Sequence, residues 1–327
     1  MKVLVTGANG FVGSHLCRQL RQAGAEVRGL VRQGSDRRLL EGQELELVEG
    51  DLRDPSAVEA AVADCEQVYH CAALVQFFVP DRAAMQATNV DGTRNVLEAA
   101  RRAGVKRFVH TSTVAVLKRH SDGTPATEDQ LLDAKDAQGA YEATKLEADL
   151  LAHQAAREGL PLVVVNATAP VGCGDYKPSP IGKVIINFLR GKIPAYTDTG
   201  LNLVDVRDLA AGHMLAAEKG RSGERYVLSG ENLVFADFLR LLSELSGVPA
   251  PTVRIPYALA LVGGLLGEVT GRLTRQDPLA CLASVRTSKH PHYASCDKAR
   301  AELGYDPRPV REALAEEIAW FREQGLV

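Results

Sequence analysis

Tyr141 and Lys145 stand four residues apart in Ala140-Tyr141-Glu142-Ala143-Thr144-Lys145-Leu146, and a pair of that kind can move a proton. On a helix, four residues advance about 6 Å and leave both side chains on one face. A phenol with an ordinary pKa of about 10 is a poor proton relay at neutral pH. A neighbouring ammonium favours the phenolate, so Lys145 is expected to bring Tyr141 down toward the working range of an acid/base catalyst. Such a site also needs a hydroxyl to orient the oxygen that takes the proton. Val109-His110-Thr111-Ser112-Thr113-Val114 offers Thr113, with Ser112 as the runner-up and both able to line a site. Tyr-x-x-x-Lys alone is common in helices, and its meaning depends on what else the chain carries.

The second constellation opens the chain. Val3-Leu4-Val5-Thr6 runs into Gly7-Ala8-Asn9-Gly10-Phe11-Val12-Gly13, and a helical pattern follows. A strand that turns sharply into a helix exposes the unpaired N–H groups of that helix, which attract phosphate. Gly7 suits the tight turn, Gly10 lets a pyrophosphate approach the backbone, and Gly13 lets helix and strand pack closely. The backbone from Asn9 through Phe11 and Val12 then belongs to a dinucleotide site. The residue after the second strand selects the dinucleotide: an acid there binds a ribose 2′-hydroxyl, whereas a guanidinium binds a 2′-phosphate. Arg32, with Arg37 and Arg38 close behind, points to NADPH; Asp36 keeps NAD as the alternative.

These residues have to be held by elements. Up to about residue 165, apolar runs alternate with helical patterns. Strands are predicted at Lys2–Thr6, Glu26–Val31, Leu45–Glu49, Gln67–Cys71, Arg107–Thr111 and Leu162–Val165. Helices are predicted at Gly13–Ala23, Pro55–Ala63, Arg82–Ala103 and Gly139–Glu158. Repeated β-α units with right-handed crossovers give an α/β fold, a Rossmann-type doubly wound parallel sheet with helices on both faces. Ligands bind at the carboxyl ends of such strands, where Gly7 and Thr113 both fall. Past residue 170 the rhythm breaks into short strands (Val204–Val206, Arg225–Leu228, Thr252–Ile255) and helices (Ile181–Arg190, Arg207–Lys219, Phe235–Ser246, Val310–Gln324). The expected division is 1–168 for the dinucleotide, with some later segments returning to it, and 169–327 as a smaller α+β lobe over the substrate cleft.

The motifs resemble those of the extended short-chain dehydrogenases/reductases, in the NAD-dependent epimerase/dehydratase superfamily. Thr6-Gly7-Ala8-Asn9-Gly10-Phe11-Val12-Gly13 matches the cofactor loop, and Tyr141-x-x-x-Lys145 the catalytic helix. Val31-Arg32, Glu49-Gly50-Asp51-Leu52-Arg53-Asp54 and Asn202-Leu203-Val204-Asp205-Val206-Arg207-Asp208 resemble the dihydroflavonol-4-reductase-like subgroup, which includes proteins called hopanoid-associated sugar epimerases. The resemblance runs from Val3 to Trp320. It implies that Asp51 and Leu52 border the adenine, and that Cys71, Ala72 and Ala73 lie against the cofactor. It implies that Asn89 helps fix the central helix and strand near the nicotinamide. Lys145 would hold the nicotinamide ribose, while Thr111, Ala167 and Ala169 line the cofactor. Thr113, Tyr141 and Lys145 form the catalytic set; Ser112, Asn166, Thr168 and Lys177 join Thr113 and Tyr141 at the substrate. The implied activity is NADPH-dependent reduction of a ketone or aldehyde. Its rival is a nucleotide-sugar epimerase or dehydratase that returns the hydride within one turnover. In that branch an Arg-x-x-Asn segment usually follows the sixth strand; here those positions hold Asn166 and Ala169, and alanine offers a phosphate no donor. Lys177, Lys183 and Arg254 remain as sources of charge. A non-catalytic sensor of the same fold would not need Tyr141.

Composition bounds the partners. A net charge of −3 gives no reason to expect nucleic acid. The longest apolar run, Ile255 to Gly267, is too short to span a bilayer, and six dispersed cysteines without a C-x-x-C pair suit a reducing compartment. With the first strand beginning at residue 2, the expectation is a cytoplasmic protein. His290-Pro291-His292 reads as a surface loop rather than a metal pair, and no metal is expected. Tyr257 to Leu266, apolar around much of a helix, is expected to be buried against the core. By the resemblance, helices Arg82–Ala103 and Gly139–Glu158 would pair across a two-fold axis in a homodimer, the second through Leu146, Leu150, Leu151 and Ala155.

Overall fold

A computed structural model describes residues 1–79 and 81–327. The first half contains β1 (Lys2–Thr6), α1 (Phe11–Gln22), β2 (Glu26–Val31), β3 (Glu46–Glu49), α2 (Pro55–Val62) and β4 (Gln67–His70). It continues through α3 (Arg82–Gln86), α4 (Gly92–Ala103), β5 (Arg107–Thr113), α5 (Ala140–Arg157) and β6 (Leu162–Ala167). Then come β7 (Ala169–Val171), α6 (Pro180–Leu189), β8 (Ala195–Tyr196), β9 (Gly200–Asp205), α7 (Val206–Lys219), β10 (Arg225–Leu228) and β11 (Glu231–Val234). The chain closes with α8 (Phe235–Ser246), β12 (Val253–Arg254), α9 (Tyr257–Thr274), α10 (Leu282–Thr287), α11 (Asp297–Leu303) and α12 (Val310–Glu323).

Seven strands form one parallel sheet in the order β10-β6-β5-β4-β1-β2-β3, a Rossmann-type arrangement. The valine- and leucine-rich strands are buried on both faces, which is why they read as continuous apolar runs. On one face Leu16, Cys17 and Leu20 of α1 pack with Leu209, Ala210 and Ala216 of α7. On the other, Val58 and Ala61 of α2 pack with Val96 and Leu97 of α4 and Ala152 of α5. A second core joins Val171, Ile185, Phe188, Phe238, Leu242, Leu314 and Phe321 beside the small sheet β11-β9-β7.

Several expectations need correction. The helix predicted over Arg82–Ala103 is divided by a π-helical turn at Ala87–Asp91, which re-aims Asn89. β5 runs two residues past its predicted end, and the strand expected at Val204–Val206 begins at Gly200, with Val206 already in α7. The largest correction is α9. Leu259, Val262, Leu265, Leu266, Val269 and Leu273 are all exposed, and only Gly264 and Gly271 of this helix are buried. It lies on the surface, not in the core. His292, expected on a surface loop, sets its Nε2 2.9 Å from the Thr287 carbonyl.

Candidate active site

The glycine turn joins β1 to α1. Gly7 has φ +70°, and a β-carbon there would stand 2.8 Å from Ala72 Cα; one at Gly13 would stand 2.1 Å from the Gly7 oxygen. Neither position admits a side chain without moving backbone. Helix α1 starts at Gly10 with no side-chain cap and no acidic residue in its first turn. By contrast α2, α6 and α7 are capped by Asp54, Ser179 and Asp205. The first amides of α1 are therefore available to an anion, and the turn fits a dinucleotide pyrophosphate. Ala72 closes over it, its N–H donating to Thr6 Oγ1 at 3.3 Å, and Cys71 and Ala73 flank it half-buried.

Beyond the turn lies a hollow lined by Asn9, Gly10, Phe11, Asp36, Arg38, Leu39, Gly174, Tyr176 and Lys177. Asn9 Nδ2 donates to the Asp36 carbonyl at 2.8 Å. Arg38 pairs with Asp36 and lies over the Tyr176 ring, 3.6 Å from its centroid. Arg37 is engaged with Glu49, while Arg32 is exposed and has no ion-pair partner among the described residues. Lys177, expected at the substrate, lines this hollow beside the glycine turn. Asp51 chelates Arg53, whose hydrogen bonds bring its carboxyl down to about 2. Leu52 is buried, and its carbonyl accepts from Asn95 at 2.8 Å.

The other end of the candidate site is built from β5, β6 and α5. Lys145 Nζ reaches across from α5 to donate to the Thr111 carbonyl at 2.8 Å. Asn89 bridges the chain after β4 to α5: its amide accepts from Leu74 N at 2.7 Å and donates to Leu74 O at 3.0 Å and Thr144 Oγ1 at 3.2 Å. Alternate side chains of a strand face opposite ways. Thr111, Thr113, Ala167 and Ala169 are half-open, whereas Ser112, Asn166 and Thr168 are buried. Three residues expected at the substrate are thus turned inward. Ser112 Oγ has no partner among the described residues, Asn166 Nδ2 holds the Thr113 carbonyl at 3.0 Å, and Thr168 Oγ1 donates to Leu228 O at 3.3 Å. Asn166 thereby fixes the backbone at Thr113.

Other contributors were not singled out in the sequence. Thr111 Oγ1 lies 3.0 Å from His213 Nε2 and donates to Cys71 Sγ at 3.3 Å. Glu142, fully buried, binds Arg119 at 2.7 Å and accepts from Gln138 N at 2.7 Å and Thr287 Oγ1 at 3.2 Å, which pins the first turn of α5. Phe77 meets the Tyr141 ring edge-on at 5.9 Å. Leu74, Val79, Met85, Ala115 and Ala140 complete an apolar wall around it. Apart from Gln138 and Ala140, these partners lie 20 or more residues from the groups they touch, and no local spacing announces them.

The electrostatics reverse one expectation. Tyr141 is not brought down: burial pushes its phenol up to about 12, against the opposing pull of a hydrogen bond with Thr113. Burial instead lowers Lys145 to about 8, with Asp149 and Cys71 resisting. Desolvation outweighs the favourable pairing anticipated from the four-residue spacing. Burial thus favours the protonated form of the Tyr141 phenol.

Comparison with known proteins places the chain. The chain is 38% identical to a putative dihydroflavonol 4-reductase from Synechocystis sp., over 99% of this chain and 95% of that one. It is 36% identical to sterol demethylase protein B of Methylococcus capsulatus, over the whole of both. The crystal structure of gox2253, 40% identical, superposes over 99% of each chain with a TM-score of 0.89. Residues 3–229, which hold the glycine turn and the Tyr141–Lys145 helix, match one family throughout. The chain belongs to the NAD dependent epimerase/dehydratase family, among the extended short-chain dehydrogenases/reductases.

Proposed function

We propose that the chain is an NADPH-dependent reductase of an apolar ketone or aldehyde. The turn Gly7–Gly13 and the uncapped start of α1 hold the pyrophosphate, and Arg32, with Arg38 and Lys177 across the hollow, receives the 2′-phosphate. Lys145 holds the nicotinamide ribose. When bound, the nicotinamide supplies a hydride. Thr113 donates a hydrogen bond to the carbonyl oxygen and orients it. Tyr141 then gives its phenolic proton to that oxygen as the alkoxide develops. Burial keeps the phenol protonated at neutral pH, so the proton is present to give, and the developing alkoxide, more basic than the phenolate, draws it off.

One observation carries the choice of substrate. The wall around Tyr141 is Leu74, Phe77, Val79, Met85, Ala115 and Ala140, and the cations weighed as diphosphate ligands are committed elsewhere. Lys183 pairs with Asp277 and Arg254 with Asp198, Lys177 lines the cofactor hollow, and Ala169 has no donor. An apolar carbonyl suits that wall better than a nucleotide sugar, in keeping with relatives whose names point to flavonols and sterols. The test follows NADPH absorbance with a water-soluble aromatic ketone and, in parallel, UDP-sugars. Stoichiometric NADPH consumption with the ketone is expected. Sugar interconversion without net NADPH loss, together with no ketone turnover, would overturn the reading in favour of an epimerase.

A further inference from the structure

Helix α9 carries an apolar face that nothing among the described residues covers. Leu259, Val262, Leu266, Val269 and Leu273 follow a three-four spacing, and with Leu265 they occupy an arc of about 120° at 100° per residue. Each is at least 49% exposed. Among the described residues 13 large hydrophobic side chains are exposed, and eight of them lie between Val253 and Leu279, so the patch is concentrated. The opposite side of the helix packs closely. β-Carbons at Gly264 and Gly271 would stand 3.0 Å from Val285 and from the Phe78 ring, so α9 is seated by that side and its leucines point outward. Phe78 adjoins Phe77, the residue against Tyr141; the seated side of α9 therefore rests on the loop that walls the active site.

Charge identifies the occupant. Residues 250–290 hold five basic side chains against two acidic ones in a chain whose net charge is −3; Arg254 pairs with Asp198 and Arg272 with Glu268, which leaves Arg275, Arg286 and Lys289 without an ion-pair partner among the described residues. A second copy would bring the same positive excess against the first. An anionic surface complements it. No helix among the described residues is long and apolar enough to cross a membrane, whereas an 18-residue helix with one apolar face and basic flanks can lie in the plane of an interface. We propose that α9 docks this chain on anionic lipid bilayers, with Leu259, Leu266 and Leu273 entering the acyl boundary and Arg272 and Arg275 meeting the headgroups.

The docking does not depend on the reaction proposed above, and one set of preparations separates the two. The full chain is mixed with vesicles of phosphatidylcholine alone or of phosphatidylcholine with phosphatidylglycerol, and bound protein is measured by flotation. The parent is expected to float with the mixed vesicles. The triple variant Leu259→Glu, Leu266→Glu, Leu273→Glu should bind at least about tenfold less, and Arg272→Gln with Arg275→Gln should fall to the level seen on pure phosphatidylcholine. Thermal midpoints and turnover of a short water-soluble ketone, recorded on the same samples, should match the parent and show that the variants are folded. A parent that does not float with mixed vesicles, or a triple variant that floats like the parent, overturns the proposal. Light scattering that shows a dimer abolished by the triple variant, without vesicle binding by the parent, assigns the face to a second copy instead.

Discussion

Lys145→Met should make the ligand-free protein more stable at neutral pH while removing its activity. Lys145 is 5% exposed, and burial lowers its ammonium from 10.5 to about 8. A depression of that size corresponds to about 3 kcal/mol of differential interaction between the two protonation states. Between those two values the unfolded chain binds the proton and the folded chain does not, so stability rises with pH across that interval. Below about pH 8 both states hold the proton, and the full penalty for burying the charge is present. Methionine removes the penalty but also loses the hydrogen bond to the Thr111 carbonyl, worth about 1–2 kcal/mol. The net gain at pH 7 is then roughly 1–2 kcal/mol. Urea unfolding of parent and variant, followed by far-UV circular dichroism, should show the higher midpoint in the variant at pH 7 and a shrinking gap as pH rises past 8. A variant less stable than the parent at pH 7, or a gap indifferent to pH, would refute the claim that the buried charge is a cost that catalysis requires.

Three further outcomes follow from the same geometry. NADPH should bind more tightly than NADH, and Arg32→Ala should remove most of that difference, about 1.5–3 kcal/mol or roughly ten- to hundredfold; equal dissociation constants in the unmodified protein, measured by calorimetry, would dismiss the 2′-phosphate site. Glu142→Ala leaves Arg119, only 9% exposed at its side chain, with an uncompensated charge, and should cost about 3–5 kcal/mol; a melting temperature within about 2 °C of the parent would show that the pair does not anchor α5. Helices α4 and α5 are proposed to pair in a homodimer through the exposed Leu150, which Leu150→Glu should dissociate; light scattering near 35.2 kDa for the unmodified chain at micromolar concentration would rule the dimer out.

The first half of the parallel sheet was legible because its signals are local. Strand, glycine turn and helix are adjacent in the chain, and Gly7 and Gly13 sit where sterics demand them. What depends on distant contacts was not. β7, β8 and β11 are two to four residues long and take their strand character from neighbours rather than from a repeating pattern. Ending β5 at Thr111 instead of Thr113 obscured the alternation that turns Ser112 inward and leaves Thr113 at the site. The direction of the Tyr141 shift depends on burial by Leu74, Phe77 and Met85, none of them near it in sequence. For α9, an apolar helix reads as buried whether or not a core exists to receive it, and only the fold shows that Leu259 to Leu273 have none.

The central claim is that Tyr141 gives the proton, and Tyr141→Phe tests it most directly. The hydroxyl adds little to the ground state, so NADPH should bind the variant within about twofold of the parent. General acid catalysis contributes about 10²–10⁴-fold, and kcat on a water-soluble aromatic ketone should fall by that factor. A variant that binds NADPH normally and keeps more than about a tenth of parental kcat would contradict the assignment, and the proton would have to come from another group.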